Sequence, residues 1–169
     1  MPEKLSRRFI KAKETKSLWK EASEKLKIDL ERIFGAKVNI ELVETKFAEI
    51  YLVNGKPLLA EAGENIFPTL VFKEFFALAP KVVVDMGAVP YICNGANVMA
   101  PGIVRFEGDF KKGGLVSVVD EKHGKPIAVG EIIYNGDAAK KVKQGVVVRN
   151  IHFVGDKVWN LVKKIWATV

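Results

Sequence analysis

Glycine is distributed unevenly along this 169-residue chain, and that distribution restricts the folds open to it. Eleven of the 14 glycines lie after residue 78, where they separate short runs rich in β-branched residues. Short strands at regular spacing, with glycine turns between them, are typical of a small closed barrel or a sandwich. The predicted strands are residues 103–106, 115–120, 126–134 and 146–153, with one helical turn at 137–142 and a closing helix at 156–166.

The first 78 residues have a different pattern, that of a small α/β domain. Apolar residues at three- and four-residue steps predict one helix that begins near Thr15 or Ser17 and ends at Phe34. Gly35 follows directly and suits the residue that stops a helix. The predicted strands of this domain are residues 7–13, 38–43, 47–53 and 57–60.

Two local signals refine this first domain. The pair Asn54-Gly55 lies between apolar runs and is a strong signal for a tight β-hairpin. Pro68 suits the first turn of a second helix at residues 67–78, where its missing N–H does no harm. The predicted fold class is therefore α+β, with an α/β domain at residues 1–78 and a β-rich domain with a C-terminal helix at residues 79–169.

The segment from Val82 to Ile103 contains the strongest candidate for a ligand site. It predicts a strand at residues 82–84, a short helix beginning near Asp85, and a tight loop at 94–102 that holds Gly95 and Gly102. Loops on a rigid scaffold carry function more often than stability, and N–H groups in a glycine loop can hold phosphate or base edges. We predict that this loop holds one end of an RNA.

Charge is consistent with an acidic partner. The formal net charge is +7, which makes nucleic acid the first candidate, although a soluble protein can also simply be basic. Basic residues concentrate near the N-terminus, where six of them between Lys4 and Lys16 face the single acid Glu14.

Several classes of protein are excluded by what the sequence lacks. No apolar run approaches the roughly 20 residues that a membrane span needs, and the basic start has no following apolar stretch, so we expect no signal peptide and a cytoplasmic location. The single Cys93 excludes an internal disulfide and suits a reducing compartment. His123 and His152 lack metal-binding spacing, and no phosphate loop or nucleophile motif is present. We expect no metal, no cofactor and no catalysis.

The glycine loop and its neighbours resemble the PUA domain, a β pseudobarrel named for pseudouridine synthases and archaeosine transglycosylases. The match extends over most of residues 79–159. The residues that carry it are Gly87-Ala88, Gly95-Ala96-Asn97, Pro101-Gly102, Gly130, Gly145, His152 and Gly155-Asp156.

The upstream domain resembles a second module. The run from Asn54-Gly55 to Leu59, with Phe67-Pro68 after it, is similar to the N-terminal domain of the malignant T-cell-amplified-sequence family. That family pairs this domain with a C-terminal PUA domain, as does the N-terminal part of translation initiation factor 2D (ligatin). The chain resembles an archaeal-type member of the family.

This resemblance implies a non-catalytic translation factor, and we expect the protein to be a monomer. Its PUA domain would hold the CCA end of tRNA, and its N-terminal domain would contact the small ribosomal subunit. Eukaryotic members work with a partner that carries an initiation-factor-1-like domain, and whether this chain has such a partner is open. The implied RNA-binding residues, with nearby cations added, are Gly95, Ala96, Asn97, Met99, Pro101, Gly102, Arg105, Lys111, Lys112, Arg149 and His152. The implied ribosome contacts are Lys4, Arg7, Arg8, Lys11 and Lys13.

Two other functions stay open at this point. PUA domains are often attached to RNA-modification enzymes, so the chain could be an RNA-targeting subunit or accessory protein of a tRNA or rRNA modification system. The loop could also be the floor of a pocket for a small molecule or a protein. The two loop glycines could serve only to shape the fold, and Met99 could belong to the core.

Overall fold

The computed structural model describes residues 5–167, which form two compact units. The first unit contains the chain up to Phe72 together with the chain from Leu161 onward, and the second is Lys73–Asn160. The predicted domain limits, 1–78 and 79–169, differ from this grouping at both ends of the second unit. They stay a prediction.

The first unit is built on an antiparallel sheet of five strands, in the order β1-β2-β3-β4-β5. Two helices, α1 (Ala12–Leu26) and α2 (Leu30–Phe34), lie between β1 and β2 in sequence, and α1 packs against β5. The strands are β1 (Ser6–Phe9), β2 (Ile40–Glu44), β3 (Glu49–Val53), β4 (Lys56–Ala62) and β5 (Asn65–Pro68).

The predicted hairpin at Asn54-Gly55 is confirmed. Both residues have positive φ, 50° and 84°, and they connect β3 to β4, which pair antiparallel. Asparagine and glycine are the residues that tolerate this conformation in two-residue hairpins.

The predicted single helix ending at Phe34 is wrong, because the structure has two helices there. α1 ends at Leu26, and Lys27 takes the left-handed conformation with φ of 56°. Asp29 then caps α2, since its carboxylate accepts the N–H of Arg32 at 3.1 Å. Leu26 and Leu30 are both buried, so the apolar period of the sequence continues across the break between the helices.

The predicted helix at residues 67–78 is also wrong in its first half. Phe67 and Pro68 belong to β5 and pair with Ala60 and Leu59 of β4. Thr69 prolongs this attachment, because its hydroxyl donates to the carbonyl of Pro57 at 2.6 Å. The helix α3 (Lys73–Leu78) begins only afterwards. Proline is tolerated in β5 because this is an edge strand.

The second unit is a curled sheet of six strands, in the order β7-β11-β10-β9-β6-β8. Only β6 and β9 pair in parallel among these strands of the described chain. Apolar side chains such as Val82, Val116 and Val148 fill its interior. The strands are β6 (Lys81–Val84), β7 (Val98–Met99), β8 (Ile103–Glu107), β9 (Leu115–Asp120), β10 (Pro126–Ile132) and β11 (Val146–Phe153).

Short helices connect these strands. α4 (Val89–Ile92) begins later than predicted, because Asp85 stands ahead of it and its carboxylate accepts the N–H of Ala88 at 2.8 Å. The predicted helical turn is α5 (Gly136–Lys141), and the closing helix is α6 (Lys157–Ala167). The mixture of helices and strands, with a curled half-barrel sheet and a C-terminal helix, confirms the predicted α+β fold class.

Candidate nucleic-acid interface

The glycine loop, residues 94–102, is held closely against the end of α4. The N–H groups of Asn94 and Ala96 both donate to the carbonyl of Tyr91, at 3.1 and 3.0 Å, and the N–H of Gly95 donates to that of Ile92 at 3.0 Å. The idea that these amides hold phosphate is therefore wrong for the first part of the loop, because their hydrogen bonds are made within the protein. The loop instead presents side chains to solvent.

Asn150 of β11 fastens the loop to the sheet. Its side-chain amide donates to the carbonyls of Ile92 and Ala96, at 3.0 and 2.9 Å, and its backbone N–H donates to Oδ1 of Asn97 at 2.9 Å. The predicted RNA contacts Ala96 and Asn97 thus use polar groups to hold the loop in place. Sequence reasoning missed Asn150, although an asparagine inside a β-branched run disfavours a plain strand role.

The two predicted loop glycines shape the backbone. Gly95 has φ of +98°, which side-chain-bearing residues rarely adopt, and the ring of Phe153 lies 3.5 Å from where its Cβ would be. A Cβ on Gly102 would lie 3.1 Å from the Cβ of Ala88. The conformation of Gly95 therefore favours glycine whatever binds there, whereas a side chain at Gly102 would require Ala88 to shift by a few tenths of an ångström.

The remaining predicted residues are exposed, with one exception. Met99 is 46% exposed, so it does not belong to the core, and Pro101 is exposed beside it. Arg149 points to solvent with its guanidinium 3.7 Å from Glu131. The other predicted cations, Arg105, Lys111 and Lys112, lie on β8 and in the turn that follows it.

His152 is the exception, because its side chain has 0% exposure. Its Nδ1 lies 2.8 Å from Oδ2 of Asp156, and because a carboxylate only accepts, the ring nitrogen is the donor. A fully buried side chain cannot contact RNA, so the predicted contact by His152 is wrong. The residue instead joins the end of β11 to the start of α6.

Tyr91 is an exposed aromatic side chain that sequence reasoning missed. Its ring is 71% exposed on α4, and its carbonyl accepts the first amides of the glycine loop. Single-stranded RNA bases stack on such aromatic rings. The available signal was an aromatic residue three positions before the loop.

The basic N-terminal stretch is largely paired with acids. Nε of Arg7 lies 2.8 Å from Glu41, and Arg8 lies 3.0 Å from Glu14 and 3.8 Å from Glu44. Lys11 and Lys13 are exposed, and Lys4 lies outside the described residues.

An open acidic cavity of about 460 Å³ adjoins this stretch in the first unit. Its wall includes Tyr51, whose hydroxyl donates to Glu61 at 3.0 Å. Burial, followed by the nearby charges of Glu61 and Glu49, raises the pKa of Tyr51. Both signs of charge are therefore present around β1, and it is not a simple cationic patch.

Burial raises the pKa of the Cys93 thiol, which disfavours the reactive thiolate. Within residues 5–167, no group of three or more His, Cys, Asp or Glu side chains is placed to hold a metal ion. None of the described helices is long and apolar enough to cross a membrane.

The curled sheet with its fastened glycine loop defines the second unit as a PUA-type pseudobarrel. The model of the PUA domain matches residues 80–154, and the model of a domain of unknown function, DUF1947, matches residues 6–73. The crystal structure of a PUA domain from Aeropyrum pernix, a tartrate complex, has a TM-score of 0.84 and 30% sequence identity, and the match covers 96% of this chain and 94% of that one.

Two curated relatives extend over most of the chain. An uncharacterised protein of Methanocaldococcus jannaschii is 40% identical over 157 residues, which are 91% of this chain and 95% of that protein. Translation machinery-associated protein 20 of Saccharomyces cerevisiae is 30% identical over 139 residues, which are 78% of this chain and 77% of that protein. This chain belongs to the family that joins the DUF1947 domain to a PUA domain and includes malignant T-cell-amplified sequence 1. The family resemblance predicted from sequence is confirmed.

Proposed function

We propose that this protein is a non-catalytic, cytoplasmic RNA-binding protein of the translation machinery, and that its PUA unit holds the 3′ end of a tRNA. The observation that carries the proposal is the fastened glycine loop, with exposed Tyr91 and Met99 beside it and the cation Arg149 on the neighbouring strand. Unpaired RNA ends are recognised by stacking and by contacts to base edges, whereas arginine and lysine neutralise the phosphates.

The proposal includes attachment to the small ribosomal subunit through the N-terminal domain. Its support is the name of the yeast relative, which associates that protein with the translation machinery. The candidate contacts Arg7, Arg8, Lys11 and Lys13 are all exposed. The ion pairs of Arg7 and Arg8 lie at the surface, where such pairs contribute little, so they leave both arginines available to phosphate. We propose that the protein acts as a monomer, with an initiation-factor-1-like protein as a possible partner.

The direct test is a titration of the full chain with intact tRNA and with the same tRNA trimmed of its CCA end. Intact tRNA should bind more tightly, and the difference should persist as salt is raised, because stacking is less sensitive to salt than phosphate contacts are. Equal affinity for the two tRNAs would contradict recognition of the 3′ end. No affinity for either at low salt would contradict RNA binding altogether.

Tyr91→Ala tests the assignment of the surface. We expect it to cost about 1–3 kcal/mol of binding free energy for intact tRNA, which is the usual effect of removing one stacking partner. Phe9→Ala is the matched control, since Phe9 is 68% exposed but lies on β1 of the other unit. Gly95 is a poorer probe because its positive φ would strain any side chain. Equal tRNA affinity of the two variants would show that the surface around Tyr91 and the glycine loop does not bind the RNA.

A further inference from the structure

A second concave feature lies in the PUA unit, between β8 and α5. It is an open cavity of about 340 Å³ whose apolar wall includes Ile103, Phe106 and Val142. The charged side chains that line it are Arg105 and Lys140, and none of its described lining residues is acidic. Its volume falls within the range of about 300–1,000 Å³ that is usual for small-ligand sites.

The strand that forms one wall has an irregular, unpaired edge. β8 pairs with β6 on one side and has no partner strand on the other among the described residues. Ile103 lies opposite Val84 and Arg105 opposite Val83, so Val104 is the extra residue of a β-bulge, and it is 47% exposed. An edge strand leaves backbone N–H and C=O groups available for new hydrogen bonds, and a bulge changes where side chains point.

The two cations differ in how strongly they are engaged. Nε of Arg105 donates to Glu107 at 3.0 Å on an exposed surface, where such pairs contribute little. Lys140 is exposed, and among the described residues it forms no ion pair. It stands in the last turn of α5, where its ammonium is available to an anion.

These features fit a ligand that joins a flat apolar body to an anionic group. A simple inorganic anion would leave the apolar wall unused, and a neutral apolar ligand would leave the cations unused. A nucleotide uses both, because its base packs on apolar walls and its phosphate binds arginine or lysine. The edge of β8 adds donors and acceptors of the kind that read base edges.

We infer that this cavity receives one unpaired nucleotide of the bound RNA, with its base against Ile103 and Val142 and its phosphate at Arg105 and Lys140. The inference rests on the proposed RNA-binding function. Ala100 connects the two surfaces, because it belongs to the glycine loop and also lines the cavity. A strand that passes the loop can therefore continue into the cavity.

Methyl NMR of the full chain gives a local test with simple probes. Cytidine or adenosine 5′-monophosphate, at millimolar concentration, should shift the methyl signals of Ile103 and Val142 saturably. Inorganic phosphate and the free nucleoside, each added alone, should produce smaller shifts. Unmoved signals, or equal shifts with phosphate alone, would overturn the nucleotide pocket.

Two neighbouring lysines provide a matched pair for RNA binding. Lys140 lines the cavity, whereas Lys141 carries the same charge on the same helix and does not line it. With an RNA that has a single-stranded 3′ end, Lys140→Gln should lower the slope of log affinity against log salt by about 0.7, the value of one contact to a single strand. Lys141→Gln should change the slope less.

The outcomes separate this inference from the function on which it rests. If the wild-type protein fails to bind any RNA, the proposed function falls and the inference falls with it. If the protein binds tRNA and Tyr91→Ala weakens that binding, while Lys140→Gln and Lys141→Gln behave alike, only the cavity is refuted. An abasic nucleotide that weakens wild-type binding, but has no effect on binding by Lys140→Gln, would support the cavity.

Discussion

The carboxylate of Asp156 accepts hydrogen bonds from three groups between the end of β11 and the start of α6. Its Oδ2 accepts from Nδ1 of His152 and the N–H of Phe153, at 2.8 and 3.0 Å, and its Oδ1 accepts the N–H of Trp159 at 2.7 Å. The last bond is that of a helix N-cap, which satisfies an N–H that has no intrahelical partner. Burial opposes ionisation of this carboxyl, but the hydrogen bond from His152 and the backbone bonds outweigh it and lower the pKa of Asp156.

The lowered pKa of Asp156 predicts a pH-dependent contribution to stability. A carboxyl whose folded pKa lies below its unfolded value of about 3.9 stabilises the protein above that pH. This contribution is lost as the pH falls through the folded pKa. Asp156→Asn should therefore lower the free energy of unfolding at pH 6, and the gap to wild type should shrink below about pH 4. Denaturant melts at both pH values measure it, and a gap that stays constant with pH would contradict the argument.

Gly130 is needed for a different reason, which is space. A Cβ at this position would lie 2.3 Å from Cγ1 of Val148 and 2.7 Å from the carbonyl oxygen of Arg149. Gly130→Ala should force β10 and β11 apart and destabilise the protein by about 1–3 kcal/mol or more, as overpacking does.

Gly87→Ala is the control for Gly130→Ala, because its Cβ would meet only Asp85 at 3.4 Å. We expect the control to melt close to wild type. Similar melting of the two alanine variants would show that β10 and β11 can adjust without cost.

At the scale of elements, the junction between α1 and α2 carries strain. Lys27 has φ of 56°, a left-handed conformation that costs a side-chain-bearing residue about 1–2 kcal/mol. Lys27→Gly removes that cost but gives the unfolded chain more freedom, worth about 0.4–1 kcal/mol. The net expectation is a stabilisation of about 0.5–1 kcal/mol.

A lysine-to-glycine substitution inside a helix should have the opposite effect on stability. Lys20 is an exposed residue inside α1, and Lys20→Gly should destabilise by about 0.5–1 kcal/mol because glycine disfavours a helix. Thermal melts of the two variants and of the wild type measure both changes in stability. If Lys27→Gly is no more stable than wild type, the bend between the helices is not strained.

At the scale of the whole molecule, basic residues outnumber acidic ones and give a net charge of +7. Arg7 and Arg8 form surface ion pairs with carboxylates, Lys11 and Lys13 follow them in sequence, and all four residues are exposed. The double variant Lys11→Glu/Lys13→Glu should weaken attachment to small ribosomal subunits and leave the affinity for free tRNA unchanged. Co-sedimentation and tRNA titration at the same salt measure the two effects. Loss of both activities together would contradict the proposed division of labour.

Features that depend on neighbours in the chain were predictable. The turn at Asn54-Gly55 follows from the φ values that those two residues tolerate, and the glycine-separated runs became strands of the curled sheet. The glycine loop was located only in part, because Val98 and Met99, predicted as loop, form β7 by pairing with β11. Its partner residue Asn150 was not found, since it lies more than 50 positions away in sequence.

Features that depend on pairing with a distant strand could not be predicted from the sequence. Phe67 and Pro68 look like the start of a helix, but pairing with β4 makes them a strand. Val129 of β10 lies opposite His152 of β11, while Gly130 lies opposite Asn150, so the register shifts by one residue. A one-residue shift reverses which side chains face the core. Arg149 and His152 lie three residues apart and therefore on opposite faces of the strand, with Arg149 exposed and His152 buried. Which of the two faces the core is decided by the pairing with β10, a long-range interaction that local sequence does not encode.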